Sequence, residues 1–226
     1  MAIDTIAYVD GFNLYFGALK DTPYKWLDLH QAISSRLGPD FNLIGLKYFT
    51  AMVIPTTNNP KVLERQNTYL RALSATQPNF TLIKGKYKLR EIVRPKLALA
   101  RWPQDSHPIA PEDYEKIPGY VWVSSWEEKG SDVNLAIQIV ADAAKNHSKA
   151  ICLISNDSDI AGALQIAKND FQKKIVLLTP WKYRQKIPNE LKAPADLLRV
   201  LNEVTLKDSQ LPDQIEGTPL SKPLAW

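Results

Sequence analysis

The chain has almost no cysteine and little histidine. Its 226 residues include one cysteine, Cys152, and three histidines, His30, His107 and His147. A single thiol excludes an intramolecular disulfide. Its place in the apolar run 150–153 reads as a small core residue, and the expected compartment is a reducing cytoplasm. The histidines lie far apart without ligand spacing, which argues against zinc. Long apolar runs are also missing: no window approaches the ~18 residues that a spanning helix requires, so no membrane partner is expected. The opening MAIDTIAYVD has neither a basic stretch nor a long apolar one, unlike a secretory leader. There is no G-x-x-x-x-G-K-[ST] loop, no G-x-G-x-x-G turn and no G-x-S-x-G elbow, so three common nucleotide and acyl-transfer chemistries lose their support. Asp10 is not followed two residues later by a second aspartate, against an aspartyl-nucleophile phosphatase.

What is present is ordinary in bulk. The sequence is 45% hydrophobic and 23% charged, typical of a globular domain. A net charge of +4 and a pI near 9.0 permit a polyanionic partner, although many enzymes are this basic. The length suits one core with an elaboration on it.

Apolar spacing alternates strand and helix. Ile3 to Val9 reads as a buried strand and Gly11 to Leu19 as a turn into a helix. Leu27 to Leu37 reads as a helix stopped by Gly38-Pro39, Leu43 to Ile54 as a strand, Lys61 to Ala75 as a helix, and Phe80 onward as a strand. Further on come a helix over Asp132 to Ala144, a strand over Ala150 to Ile154, a helix over Asp159 to Ala167 and a strand over Lys174 to Leu178. Leu197 to Leu201 fits a short strand or a short helix. This order predicts an α/β fold with a mainly parallel central sheet covered on both faces. Residues 84–126 break the rhythm and read as an extended hairpin joined by a Pro-rich loop with Pro103, Pro108, Pro111 and Pro118. The polar tail 206–226 reads as a surface arm, leaving 1–205 as the main domain.

Four aspartates stand out. Ligands of open parallel sheets bind beyond the carboxyl ends of the strands. "YVDGFNLY" delivers Asp10 there, with Asn13 one turn on; "ISNDSD" delivers Asp157 and Asp159; "EEKGSDVNLA" opens a helix with Asp132. Singly, each has a local explanation. Asp10-Gly11 is a common turn pair, Asp132 and Asp159 complement helix starts, and Ser158 would cap a helix. Jointly they place four charges at one edge, where mutual repulsion favours a hard divalent cation, Mg²⁺ or Mn²⁺, bound through oxygen. On this reading Asp10 and Asp157 are the direct ligands. Asp132 and Asp159 hold a second ion or bridge through water. Asn13 donates to phosphate or positions water, or simply starts its helix. Lys129 faces the phosphate or solvent, and Glu127 and Glu128, adjacent on a strand, face opposite ways, so that one of them could join the site.

"YVDGFNLYFG", "EEKGSDVNLAIQIVADA" and "CLISNDSDIAGALQIA", in that order, resemble the NYN domain family, its LabA-like branch in particular, within the PIN-like nuclease superfamily. The resemblance implies a PIN-like three-layer α/β/α fold and Mg²⁺- or Mn²⁺-dependent cleavage of RNA. Its acidic site falls on Asp10, Asp132, Asp157 and Asp159, with Asn13 and Lys129 as motif neighbours. Ser131 stands where the family pattern is usually apolar, and Ile160 where it is often aromatic.

A second pattern concerns binding. Lys84, Lys86, Lys88 and Arg90 recur at period two, as do Tyr120, Trp122 and Trp126. A basic ladder beside an aromatic one would suit single-stranded RNA; a solvated lysine face over core aromatics fits the spacing equally well. The expectation is thus a metal-dependent endoribonuclease. A regulatory RNA- or protein-binding module and a phosphohydrolase of small nucleotides are the alternatives, and a homo-oligomer stays open.

Overall fold

The strands are β1 (Ile3–Asp10), β2 (Phe41–Thr50), β3 (Phe80–Lys84), β4 (Lys86–Pro95), β5 (Tyr120–Lys129), β6 (Ala150–Ile154), β7 (Lys174–Pro180) and β8 (Leu197–Leu201). Six of them form one sheet in the order β3-β2-β1-β6-β7-β8, with every pairing parallel. Each crossover therefore carries helix or loop back over a face, which is why the buried strands read as continuous apolar runs. The structure, a computed structural model, describes residues 1–95 and 119–226. They fall into two compact units, Met1–Gly85 with Gly130–Trp226, and Lys86–Lys129. The Pro-rich loop with Pro103, Pro108, Pro111 and Pro118 lies outside the described residues.

Period-two alternation sorts the sheet into two cores. Ala7, Val9, Leu46, Cys152, Ile154 and Val176 face the helices Leu29–Leu37 and Val62–Thr76. Ile6, Tyr8, Phe49, Ile151, Leu153 and Ile175 face the helices Ser131–Ala144 and Ala161–Asn169. This is the expected three-layer α/β/α arrangement. Leu135 and Ile139, both fully buried, contribute about 2 kcal/mol each by leaving water. Cys152 is fully enclosed, and burial pushes its thiol up to about 12, so it is a packing residue.

Several expected boundaries shift. The second strand ends at Thr50 rather than Ile54, and Leu197–Leu201 is a strand, paired to β7. The tail departs most from expectation. Instead of lying along the surface, it packs Leu206, Leu211, Ile215 and Leu220 into the first core. Trp26 holds it there: the indole donates to the Pro212 carbonyl at 2.8 Å, and the Trp226 ring sits 6.2 Å from the Trp26 ring and 5.8 Å from Tyr69. Its apolar residues are too widely spaced to show a helix or strand period, which is why the segment reads as polar.

The smaller unit is a two-stranded antiparallel ribbon of β4 and β5. The hairpin is as expected, but it begins at Lys86. Lys84 instead ends β3 in the large sheet, opposite Thr50, so it does not continue the ladder. Facing residues in an antiparallel pair share a face. Lys86 faces Lys129, Lys88 faces Glu127, and Arg90 faces Ser125, whereas Leu89 faces Trp126 and Val93 faces Trp122. The basic ladder and the aromatic ladder therefore occupy opposite faces. Glu127 lies on the basic face, bridging Arg90 at 3.2 Å and Lys129 at 2.9 Å; Glu128, opposite Tyr87, lies on the aromatic one.

One buried carboxylate ties the second layer to the sheet. Asp142, 2% exposed, accepts from Tyr8 Oη at 2.7 Å, Lys47 Nζ at 2.5 Å and Gln138 Nε2 at 3.0 Å, with His147 Nδ1 at 3.1 Å. Burial alone would raise its proton affinity, but the bonds from Lys47 and Tyr8 and the Lys47 charge bring it below the ordinary carboxyl value. Folded Asp142 thus holds its proton less tightly than unfolded Asp142. Its contribution is complete above the ordinary carboxyl range, ~4, and is lost as pH falls through the lowered folded value. Asp142→Asn, which leaves Lys47 without its partner, should cost about 3 kcal/mol at neutral pH and flatten the acid limb of the stability profile. Denaturant unfolding across a pH series measures both, and an unchanged acid limb would remove Asp142 from the account.

Candidate active site

The strand order reverses direction between β1 and β6: β2 and β3 lie to one side, β7 and β8 to the other. Such a switch point leaves a crevice at the carboxyl ends of the two central strands. β1 ends there with Asp10, and β6 ends there with Ile154, followed by Ser155, Asn156 and Asp157.

Asp10 is 5% exposed and caps the short helix Gly11–Leu14. Its Oδ1 accepts from the Asn13 backbone N–H at 2.9 Å, and its Oδ2 from Asn13 Nδ2 at 2.8 Å and Ser155 Oγ at 3.0 Å. Gly11 is required by space: a Cβ there would lie 2.8 Å from the Phe49 carbonyl oxygen and 2.7 Å from the Tyr48 ring. The turn pair in "VDGFN" thus lets the chain pass against β2 while the carboxylate stays in the crevice. Burial pushes the Asp10 carboxyl above its ordinary value. The bonds from Asn13 and Ser155 oppose that shift, the charge of Asp157 adds to it, and the net direction is up.

Ser155 links the two carboxylates. It is fully buried, donates to Asp10 and accepts from the Asp157 backbone N–H at 3.1 Å. Sequence reasoning passed over it, although a hydroxyl directly between a buried strand and two aspartates was the available signal. Asp157, not Ser158, caps the turn Ser158–Ile160, accepting from the Asp159 N–H at 3.0 Å. Asn13 joins both strand ends, because its Oδ1 accepts from the Asn156 N–H at 3.1 Å.

The four expected aspartates come from three segments, and two of them, Asp10 and Asp157, are joined through Ser155. Asp10 and Asp157 share one field. Asp159 is exposed on the turn beyond. Asp132 stands in the first turn of Ser131–Ala144, after Gly130 with φ +99°, a conformation that favours glycine. That helix leads into β6, so its start lies toward the carboxyl edge, but on a separate turn. Among the described residues no three His, Cys, Asp or Glu side chains are grouped so that they could hold one ion. The donor set at the crevice does fit an ion held by two carboxylates and otherwise by water or phosphate, the usual magnesium arrangement. Nearby, Asn156 Oδ1 is buried with no hydrogen-bond partner among the described residues, one more hard oxygen at this strand end.

A doubly wound α/β protein with a paired-aspartate crevice at its switch point is the class that this fold and site define. The chain belongs to the NYN domain family, whose model matches residues 82–202. It is also 29% identical to 6-hydroxy-3-succinoylpyridine 3-monooxygenase HspA of Pseudomonas putida (strain DSM 28022 / S16), across 98% of this chain and 75% of that protein. A crystal structure of a protein of unknown function from Vibrio parahaemolyticus RIMD 2210633 matches with a TM-score of 0.51 at 13% identity, over 92% of this chain and 97% of that one. That likeness is one of fold.

Because folded Asp10 binds its proton more tightly than unfolded Asp10, it works against stability as pH rises from the ordinary carboxyl range through its raised value. Asp157→Asn should lower the Asp10 proton affinity in the metal-free protein while keeping the turn, since asparagine caps as well as aspartate. Ser155→Ala should raise it. Carboxyl-carbon NMR titration reads both shifts, and an Asp10 titration indifferent to Asp157 would dissolve the pair.

Proposed function

We propose that the chain is a metal-dependent hydrolase of RNA phosphodiester bonds, acting internally on single strands. The observation that carries this reading is the Asp10–Asp157 pair at the switch point, joined through Ser155, in a chain of the NYN domain family, whose motifs resemble those of a nuclease superfamily. Asp10 and Asp157 would hold Mg²⁺ or Mn²⁺. When bound, such an ion lowers the pKa of a water and offsets charge on the phosphodiester oxygens.

The protein's own residues set the geometry. Asn13 and Ser155 fix both Asp10 oxygens, so the carboxylate is oriented before any ligand arrives. Asn13 is therefore a positioning residue: one amide hydrogen and its oxygen are engaged, leaving the second hydrogen for phosphate or water. Asp132 and Asp159, at neighbouring turns, would act through water. Lys129 belongs to the ribbon, where Glu127 holds it.

The test is labelled RNA with Mg²⁺, Mn²⁺, Ca²⁺ or EDTA. Cleavage is expected with the first two and loss with the others, because calcium's looser coordination holds water and phosphate less well in line. Asp157→Asn should abolish cleavage and keep the fold. Asp10→Asn should do the same with some loss of stability, because its amide would turn donors toward Asn13 and Ser155. Binding without cleavage in every metal would favour the regulatory module, and cleavage confined to mononucleotides the small phosphohydrolase.

A second reading, an enzyme acting on a small aromatic acid, is favoured by the name of the Pseudomonas relative, which aligns over 98% of this chain. Dioxygen uptake dependent on 6-hydroxy-3-succinoylpyridine and an added reductant would support it.

The ribbon supplies the RNA-binding prediction. A strand lying on the basic face meets Lys86 and Lys88 but not Trp122 on the other side. Lys86→Ala with Lys88→Ala should flatten the slope of log K against log salt by about 1.4, at ~0.7 per contact, and Trp122→Ala should leave affinity unchanged. Filter-binding titrations at several salt concentrations decide it; a loss in Trp122→Ala with no change in slope for the lysine pair would put RNA on the aromatic face.

A further inference from the structure

The larger unit contains a cavity of about 340 Å³ that the carboxylate chemistry does not use. Gly11 and Phe12, directly after Asp10, belong to its wall, and the Asp10 charge reaches Tyr48 there. Six aromatic side chains line it: Phe12, Tyr15, Phe16, Tyr48, Tyr69 and Trp226. Lys25 and Arg65 also line it, and among the described residues no aspartate or glutamate does. Among the described residues each cation keeps spare donors, because Lys25 Nζ gives one side-chain hydrogen bond, to the Thr22 carbonyl, and the Arg65 side chain gives one, to Asn59 Oδ1.

Two details show a built site. The helix that starts at Asp10 widens into a π turn over Tyr15–Leu19, and the Tyr15 and Phe16 rings meet edge to face at 5.2 Å on that turn. Both remain substantially exposed, at 37% and 47%, though their rings would gain by packing on something flat. Tyr48 is only 6% exposed and lines the cavity, yet no hydrogen bond to its hydroxyl occurs among the described residues.

We propose that this cavity binds a flat aromatic ring carrying an anionic substituent. The ring packs among Phe12, Tyr15, Phe16 and Trp226. The Tyr48 hydroxyl bonds to a polar atom of the ring, and Arg65, supported by Lys25, takes the anion. The volume holds one ring system with a short side chain. Two sources offer this chemistry, a nucleotide with its phosphate and a free aromatic acid. The inference does not require the chain to cleave RNA.

Calorimetric titration in EDTA keeps the test independent of cleavage. Uridine and adenosine 5′-monophosphates form one arm and 6-hydroxynicotinate the other, with uridine and 2-hydroxypyridine as uncharged controls. The acidic ligand of at least one arm should bind more tightly than its uncharged control. Arg65→Met should weaken the acid by roughly ten-fold and the control little. Phe16→Ala, at a half-exposed position that tolerates truncation, should weaken acid and control alike, also by roughly ten-fold. Lys25→Met provides a second loss of charge should Arg65→Met melt early. Tighter binding of the nucleotides identifies a base and its phosphate as the ligand; tighter binding of the hydroxynicotinate identifies a free acid. No binding at millimolar concentration in either arm, or affinities unchanged in both Arg65→Met and Phe16→Ala, would overturn the proposal.

Discussion

The Asp10 carboxylate sits almost out of water at the end of a central strand, and burying a charge is costly unless other groups meet it. Asn13 and Ser155 do so from two directions. Asn13 lies one turn along the same segment, so that half of the arrangement is local. Ser155 lies 145 residues further on, at the end of β6. The contact exists only because the chain crosses the sheet and returns to lay β6 against β1 in register from Thr5 with Ala150 to Val9 with Ile154. The glycine at position 11 and the parallel register of β1 with β6 are conditions for placing that one group.

A second buried carboxylate gives a useful contrast. Asp142 is at least as enclosed as Asp10, but Lys47 stands against it and its proton affinity falls below the ordinary value. Among the described residues Asp10 meets neutral donors and a neighbouring aspartate, and its proton affinity rises. A charge-compensated carboxylate has little left to offer a ligand. One that is desolvated, oriented and faced by like charge is set up to receive a cation or a proton. The sign of the nearest charge sets the two carboxylates apart.

Much of this was legible in the sequence, for identifiable reasons. The α/β layering follows from apolar runs that alternate between strand and helix lengths. The prominence of Asp10 and Asp157 follows from their position just past buried strands. Ser155 was missed because a serine at a strand end has many ordinary uses. The Asp142 network was missed because its partners Tyr8 and Lys47 are remote in the chain and each fits an unremarkable strand. The tail was misread because Leu206, Leu211, Ile215 and Leu220 follow no single period. Their burial depends on Trp26, fixed by contacts that no local pattern encodes.

The ribbon shows where reading of that kind must stop. Period two places Lys86, Lys88 and Arg90 on one side of β4, and Tyr120, Trp122 and Trp126 on one side of β5. It says nothing about the phase of one strand against the other. Phase is set by register, and a slip of one residue turns a whole strand over. The observed register pairs Lys88 with Glu127 and Leu89 with Trp126, so the charges collect on one face and the rings on the other. A groove that combined both ladders would need the other phase. The register that was formed joins Arg90 and Lys129 through Glu127, an interaction that the slipped register would carry to opposite faces. The same pairing that organises the ribbon's charges therefore keeps its rings away from them.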